Sequence, residues 1–163
     1  MDEQETIRVL EANLSRLLGW IVAAESRLST VLAIDTAMLG VLAAMTPSPA
    51  AWNVAPAIFA SLSALLLGAS LLFLSFASFP RTSGPGGSLV YFGGIATHEP
   101  DQYQRLVSEM TANQYIQDLA HQCHRNAEIA DKKFKWIKWA MASLLLSLIP
   151  WALSVYLLYT VRG

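Results

Sequence analysis

The chain has 163 residues, of which 54% are hydrophobic and only 14% charged; its net charge is −1 and its mean hydropathy +0.41. Such a balance excludes an ordinary water-soluble domain and gives no electrostatic basis for binding nucleic acid, so no nucleic-acid partner is expected. A single cysteine, Cys123, rules out an internal disulfide.

Before the first apolar run, Ile7, Leu10, Leu14, Leu17, Ile21, Ala24 and Leu28 recur at alternating steps of three and four residues. That spacing puts them in one stripe on a helix, with the acids elsewhere. Nothing interrupts the pattern, so a single helix is predicted from about Glu3 into the bilayer, ending before Pro47. Residues 1–27 form its cytoplasmic, amphipathic part, and the acidic leader argues against a cleaved signal peptide.

Three apolar runs are long enough to cross a hydrocarbon core, which takes about 20 helical residues. They are residues 28–46, 54–79 and 139–161. The first two form a hairpin over 28–79, closed by a turn at Pro47, Ser48 and Pro49; Pro56 in the first turn of the second helix costs no hydrogen bond. Small residues at helical spacing, Ala33, Ala37 and Gly40 against Ala60, Ala64 and Gly68, would allow close packing.

Residues 80–138 form a cytoplasmic linker and long helix. The linker, 80–88, is rich in glycine and proline; Leu89 to Phe92 has strand-forming residues but no partner strand, and reads as an extended strip. From Pro100 a helical pattern leads through Tyr103, Val107, Met110, Gln114, Gln117, Ala120 and Cys123 to Ile137 without a break. Lys132, Lys133, Lys135 and Lys138, with Trp136 and Trp139, then make the belt of a helix entering a membrane. The third span, 139–161, carries Pro150, where a kink is expected, and leaves a short external tail within 139–163. Ten of the eleven basic residues precede the first span or lie between the second and third. The N-terminus and the central loop are therefore expected in the cytoplasm and the C-terminus outside. The fold class is an all-α integral membrane protein with three transmembrane helices, two of them extended into a cytoplasmic helical stalk.

Asp35 is the one ionisable group inside a span. Such an acid reads either as a contact at a subunit interface or ion path, or as a hydrogen-bonded structural group. Glu25 and Arg27 stand at the membrane entry, where pairing with a lysine of the third helix and anchoring to headgroups are both open. His121, Cys123 and His124 do not converge on one helix face, so no metal site is expected. The glycines at 84, 86 and 87 fit neither common phosphate-binding fingerprint. No Ser/His/Asp or paired-carboxylate constellation can be assembled, and the chain reads as no enzyme, with no resident cofactor.

Several segments carry a resemblance as an ordered set: Trp20 with Ala23 to Leu28 and Leu32 to Asp35; Leu89-Val90-Tyr91-Phe92-Gly93-Gly94-Ile95-Ala96; and Asn126 to Trp136. Together they resemble the transmembrane effector family of Pycsar antiphage systems, across nearly the whole chain. The resemblance implies a bacterial inner-membrane effector that senses a cyclic pyrimidine nucleotide, cCMP or cUMP, made by a partner cyclase, and impairs membrane integrity as a homo-oligomer. On that basis Arg81, Tyr91, Phe92, Arg105 and Arg125 are candidate ligand contacts, arginine gripping phosphate and an aromatic face stacking the base. Glu25, Arg27 and Asp35 are candidate intramembrane or gating residues. The family commonly has an acid after its Tyr-Phe-Gly segment, where this chain has Gly94. The alternative function is a non-sensing accessory protein that docks a cytoplasmic partner through its stalk.

Overall fold

A computed structural model describes residues 2–48, 53–79, 84 and 86–162. Five helices make up the described chain: α1 (Glu3–Met45), α2 (Val54–Ser78), α3 (Phe92–Ile95), α4 (Pro100–Glu109) and α5 (Ala112–Arg162). Among the described residues there is no strand, and α1, α2 and α5 are each long and apolar enough to cross a membrane. The chain is thus an all-α integral membrane protein. It divides into two compact units, a polar one (Met1–Ala23 and Pro80–Lys132) and an apolar one (Ala24–Phe79 and Lys133–Gly163).

In the polar unit the α1 stripe behaves as its spacing predicts, with Ile7, Leu10, Leu14, Leu17 and Ile21 all partly buried. Asp2 caps the helix, its Oδ1 accepting from the Glu5 N–H at 2.6 Å. Two expectations fail here. The run 89–92 is no extended strip: Leu89 to Tyr91 bend and Phe92 opens the short α3. The helix from Pro100 is not continuous either, because it stops at Glu109 and restarts at Ala112. The restart is a reciprocal cap, in which the Thr111 N–H donates to Gln114 Oε1 (2.8 Å) and the Gln114 N–H to Thr111 Oγ1 (3.3 Å). With the break, the register of α5 also differs from the apolar pattern. Its covered face runs through Tyr115, Leu119, Gln122 and Ala130, while Gln114, Gln117 and Ala120 are exposed.

The apolar unit packs α1, α2 and α5 through heptad-spaced positions: Leu28, Val31, Asp35, Met38 and Leu42; Ser63, Leu67, Ser70, Leu74 and Ala77; and Lys133, Ile137, Ala140, Leu144, Ser147, Ser154 and Leu158. Alternating steps of three and four keep each buried line facing the same partners, the packing of left-handed bundles. Outward lie Leu65, Leu146, Ile149 and Tyr159, all more than 60% exposed. In water such a surface would aggregate; in a bilayer it is the natural exterior. α5 runs through Pro150 without interruption, and Trp151 Nε1 donates to the Met38 carbonyl of α1 at 3.0 Å.

Candidate functional site

The polar unit is organised by one carboxylate. Asp118, on the second turn of α5, accepts at Oδ2 from the backbone N–H groups of Leu89 (2.8 Å) and Val90 (3.2 Å), holding a bend that has no ladder to join. Ser88 completes the turn: its buried Oγ accepts from the N–H groups of Val90 (3.2 Å) and Tyr91 (2.9 Å) and from Gln122 Nε2 (3.1 Å). Tyr103 of α4 donates its hydroxyl to the Leu89 carbonyl at 3.1 Å. Against α1, Tyr115 donates to Glu11 Oε1 (2.8 Å) and the Cys123 thiol to the Leu10 carbonyl (3.4 Å). Burial, then the hydrogen bond and charge of Glu11, push the Tyr115 phenol up to about 12, and burial pushes the Cys123 thiol up as well.

Between this turn, the end of α4 and the start of α5 lies a cavity of about 410 Å³. Its walls are the backbone from Gly86 to Leu89 and the side chains of Glu109, Gln114, Gln117, Asp118 and His121. Gly87, at φ +74°, makes the tight turn at its mouth. Leu89 and Met110 separate it from a second, apolar cavity of about 550 Å³ that includes Tyr103, Val107 and Tyr115. Both volumes suit a small molecule, for which pockets of roughly 300–1,000 Å³ are usual. Two amides, an imidazole and two carboxylates offer both donors and acceptors in the first cavity.

The candidate ligand residues do not meet in either cavity. Arg81 lies outside the described residues. Tyr91 is enclosed by glycines, since a Cβ at Gly84 or Gly93 would come within 2.2 or 2.5 Å of its ring, and it also tilts against Phe92 at 4.5 Å between centroids. Phe92 is 64% exposed. Arg105 is exposed on α4, one turn before Glu109 and on the same face. Arg125 bonds Glu128 Oε2 at 2.8 Å, and that contact holds the Glu128 carboxyl below the usual range. Gly94 has a steric reason: a Cβ there would stand 2.1 Å from the Ser88 carbonyl oxygen, so no side chain fits this turn. Apolar periodicity could not reveal Asp118, Ser88 or Gln122, because each is a polar residue at an inward position. The Thr-x-x-Gln cap before α5 was the available signal for the break that makes the cavity.

In the apolar unit the three gating candidates sit differently. Lys133, only 7% exposed, donates to Glu25 Oε1 and, at 3.0 Å, to the carbonyl of Ala77 in the last turn of α2. One ammonium thereby joins three helices and satisfies an end carbonyl at the negative pole of α2. Arg27 lies over the Phe134 ring at 5.6 Å, and Trp136 stacks on Phe73 at 5.9 Å. Asp35 is wholly buried; Ser70 Oγ of α2 is 2.6 Å from its Oδ2 and 3.0 Å from the Ala140 carbonyl of α5. Asp35 Oδ1 and Ser63 Oγ are buried without a hydrogen-bond partner among the described residues.

Residues 9–160 match the family model described as the Pycsar effector protein domain, PycTM. Among curated proteins, the Pycsar effector protein PtPycTM of Propioniciclava tarda is 28% identical over 138 residues, covering 77% of this chain and 66% of that protein. The chain therefore spans just under two thirds of that relative's length. No solved structure matches it significantly.

Proposed function

The chain belongs to the PycTM family of Pycsar effector proteins, and from that membership we propose that it is an antiphage defence effector which senses cCMP or cUMP and then impairs the bacterial inner membrane, arresting or killing the infected cell. The observation that carries this reading is the extent of the family match, which takes in both the cavity-bearing polar unit and all three membrane helices.

The cavity bounded by Gly86 to Leu89 is our choice for the nucleotide. Gln114 and Gln117 each offer a donor and an acceptor, the pair of functions that the edge of a pyrimidine presents. Glu109 and Asp118 repel a phosphate from the interior, so the cyclic phosphate belongs at the rim, with Arg105, on the same face of α4 as Glu109, as its cation. Arg125 is already engaged by Glu128 and is the weaker choice. The distribution of basic residues supports a cytoplasmic N-terminus and polar unit with an external C-terminus. For a nucleotide to act as a switch it must favour the active arrangement over the resting one. That arrangement is a homo-oligomer in our reading, since a single three-helix unit has its faces turned to one another.

Purified full-length protein in liposomes, tested for ion leakage with cCMP, cUMP and cAMP added separately, examines this directly. Leakage with a pyrimidine nucleotide but not cAMP, reduced in Arg105→Ala, is the expected result. Silence with all three, in protein shown to be inserted and folded, or an equal response to cAMP, would overturn it.

A further inference from the structure

The interior of the apolar unit is more polar than a membrane bundle needs. Among the described residues, six buried polar side chains besides Lys133 line it: Asp35 on α1, Ser63 and Ser70 on α2, and Ser143, Ser147 and Ser154 on α5. Their levels follow from the contacts. Ser70 meets both Asp35 and Ala140, while Lys133 meets both Glu25 and Ala77, so α2 runs opposite to α1 and α5. Moving away from Lys133, the rungs are therefore Asp35 with Ser70, then Ser63 and Ser147 two turns on, then Ser154 two turns further. From Lys133 to Ser154 is about 31 Å of helical rise, matching a hydrocarbon core of about 30 Å.

The hydrogen bonding along this seam is incomplete. Ser147 and Ser154 satisfy themselves on carbonyls of their own helix, Leu144 and Trp151. Ser70 has one hydroxyl hydrogen for two acceptors, while Asp35 Oδ1 and Ser63 Oγ have no partner among the described residues although both residues are fully buried. A buried polar atom left unpaired carries a penalty that contact with water removes. The outer faces, by contrast, are mainly leucine, isoleucine and aromatic, and hydroxyls there such as Thr36 and Ser75 are already bonded to carbonyls of their own helices.

We propose that this seam is the water and cation path of the activated protein: the three helices part, and several copies turn their Asp35 and serine faces toward a shared lumen. Hydration supplies the missing partners of Asp35 and Ser63, and a ring of Asp35 carboxylates makes the path select cations. Lys133 and Glu25 close its end in the resting unit. The inference rests on the proposed membrane-permeabilising function and names the residues that would carry it.

The test uses full-length protein in planar bilayers with cCMP or cUMP as the probe, measuring the K⁺ to Cl⁻ permeability ratio and block by a membrane-impermeant thiol reagent. In a Cys123→Ser background, Ser63→Cys and Ser147→Cys are compared with Leu65→Cys on the lipid face. The expected result is a cation-selective current whose preference falls to near parity in Asp35→Asn, and loss of most of the current on thiol modification at 63 and 147 but not 65. Nucleotide-dependent current with unchanged selectivity in Asp35→Asn and no block at 63 or 147 would overturn the path while leaving the effector function standing. No current from the wild type with either nucleotide would overturn that function, and the path with it.

Discussion

The two units of this chain are held together by opposite means. In the apolar unit the contacts follow a heptad repeat on three helices, with Leu67 and Ala140 wholly buried and the lipid-facing residues outside. In the polar unit, Leu119 is the large apolar side chain that is fully covered among the described residues, and the turn before α3 is fixed by Asp118 and Ser88 gripping backbone N–H groups. Lipid gives helices no hydrophobic reason to associate, so the apolar unit depends on fitted shape. Water competes for every polar contact, so the polar unit depends on groups that would be left unpaired if one partner went.

That contrast can be broken at four points. The largest effect belongs to Leu67→Ala, which opens a cavity where three helices meet. A loss of about 3 kcal/mol is expected in reversible unfolding in mixed detergent, near the low end for buried leucine because the removed side chain would have been in lipid rather than water. A loss near zero would mean that the unit is loosely packed. Asp118→Ala should cost about 2 kcal/mol by abandoning the Leu89 N–H and leaving the Val90 N–H to Ser88 alone. Hydrogen exchange checks it: faster exchange at Leu89 and Val90, with the amides of α2 unchanged, is the expected pattern.

The third point is pH. The fold raises the Tyr115 phenol from 10.0 to about 12, so the folded state holds its proton more tightly than the unfolded chain. This contribution is complete below pH 10 and lost as pH climbs from 10 toward 12. Thermal unfolding across that window should show a slope that Tyr115→Phe makes shallower. The smallest effect is Arg125→Ala: the Glu128 carboxylate it pairs with is at the surface, where such pairs contribute little, and unfolding should be unchanged within error.

The same contrast decides what could be read from the residues alone. The membrane helices were legible because their apolar runs and heptad stripes are periodic, and the observed bounds of α1 and α2 lie within a residue or two of those expected. The polar unit was not, since its organising residues are inward-facing polar groups: Asp118 and Gln122 occupy positions that a search for apolar stripes passes over. Arg105 and Phe92 were visible as residue types, but neither lines a cavity, and the cavities themselves depended on the break at Met110 and Thr111. Asp35 was conspicuous as a charge in a span; its pairing with Ser70 required the register of α2 against α1.

The Lys133 ammonium has a consequence for how the protein is made. Its two acceptors, Glu25 and the Ala77 carbonyl, belong to helices synthesised before it. The α1–α2 hairpin is therefore made with Glu25 at a half-exposed position and the Ala77 end of α2 without its cation, and the ion pair and the cap form together when α5 arrives. α5 thus acts as a keystone, and a chain truncated before it should lack both the ion pair and the cap that tie α1 to α2.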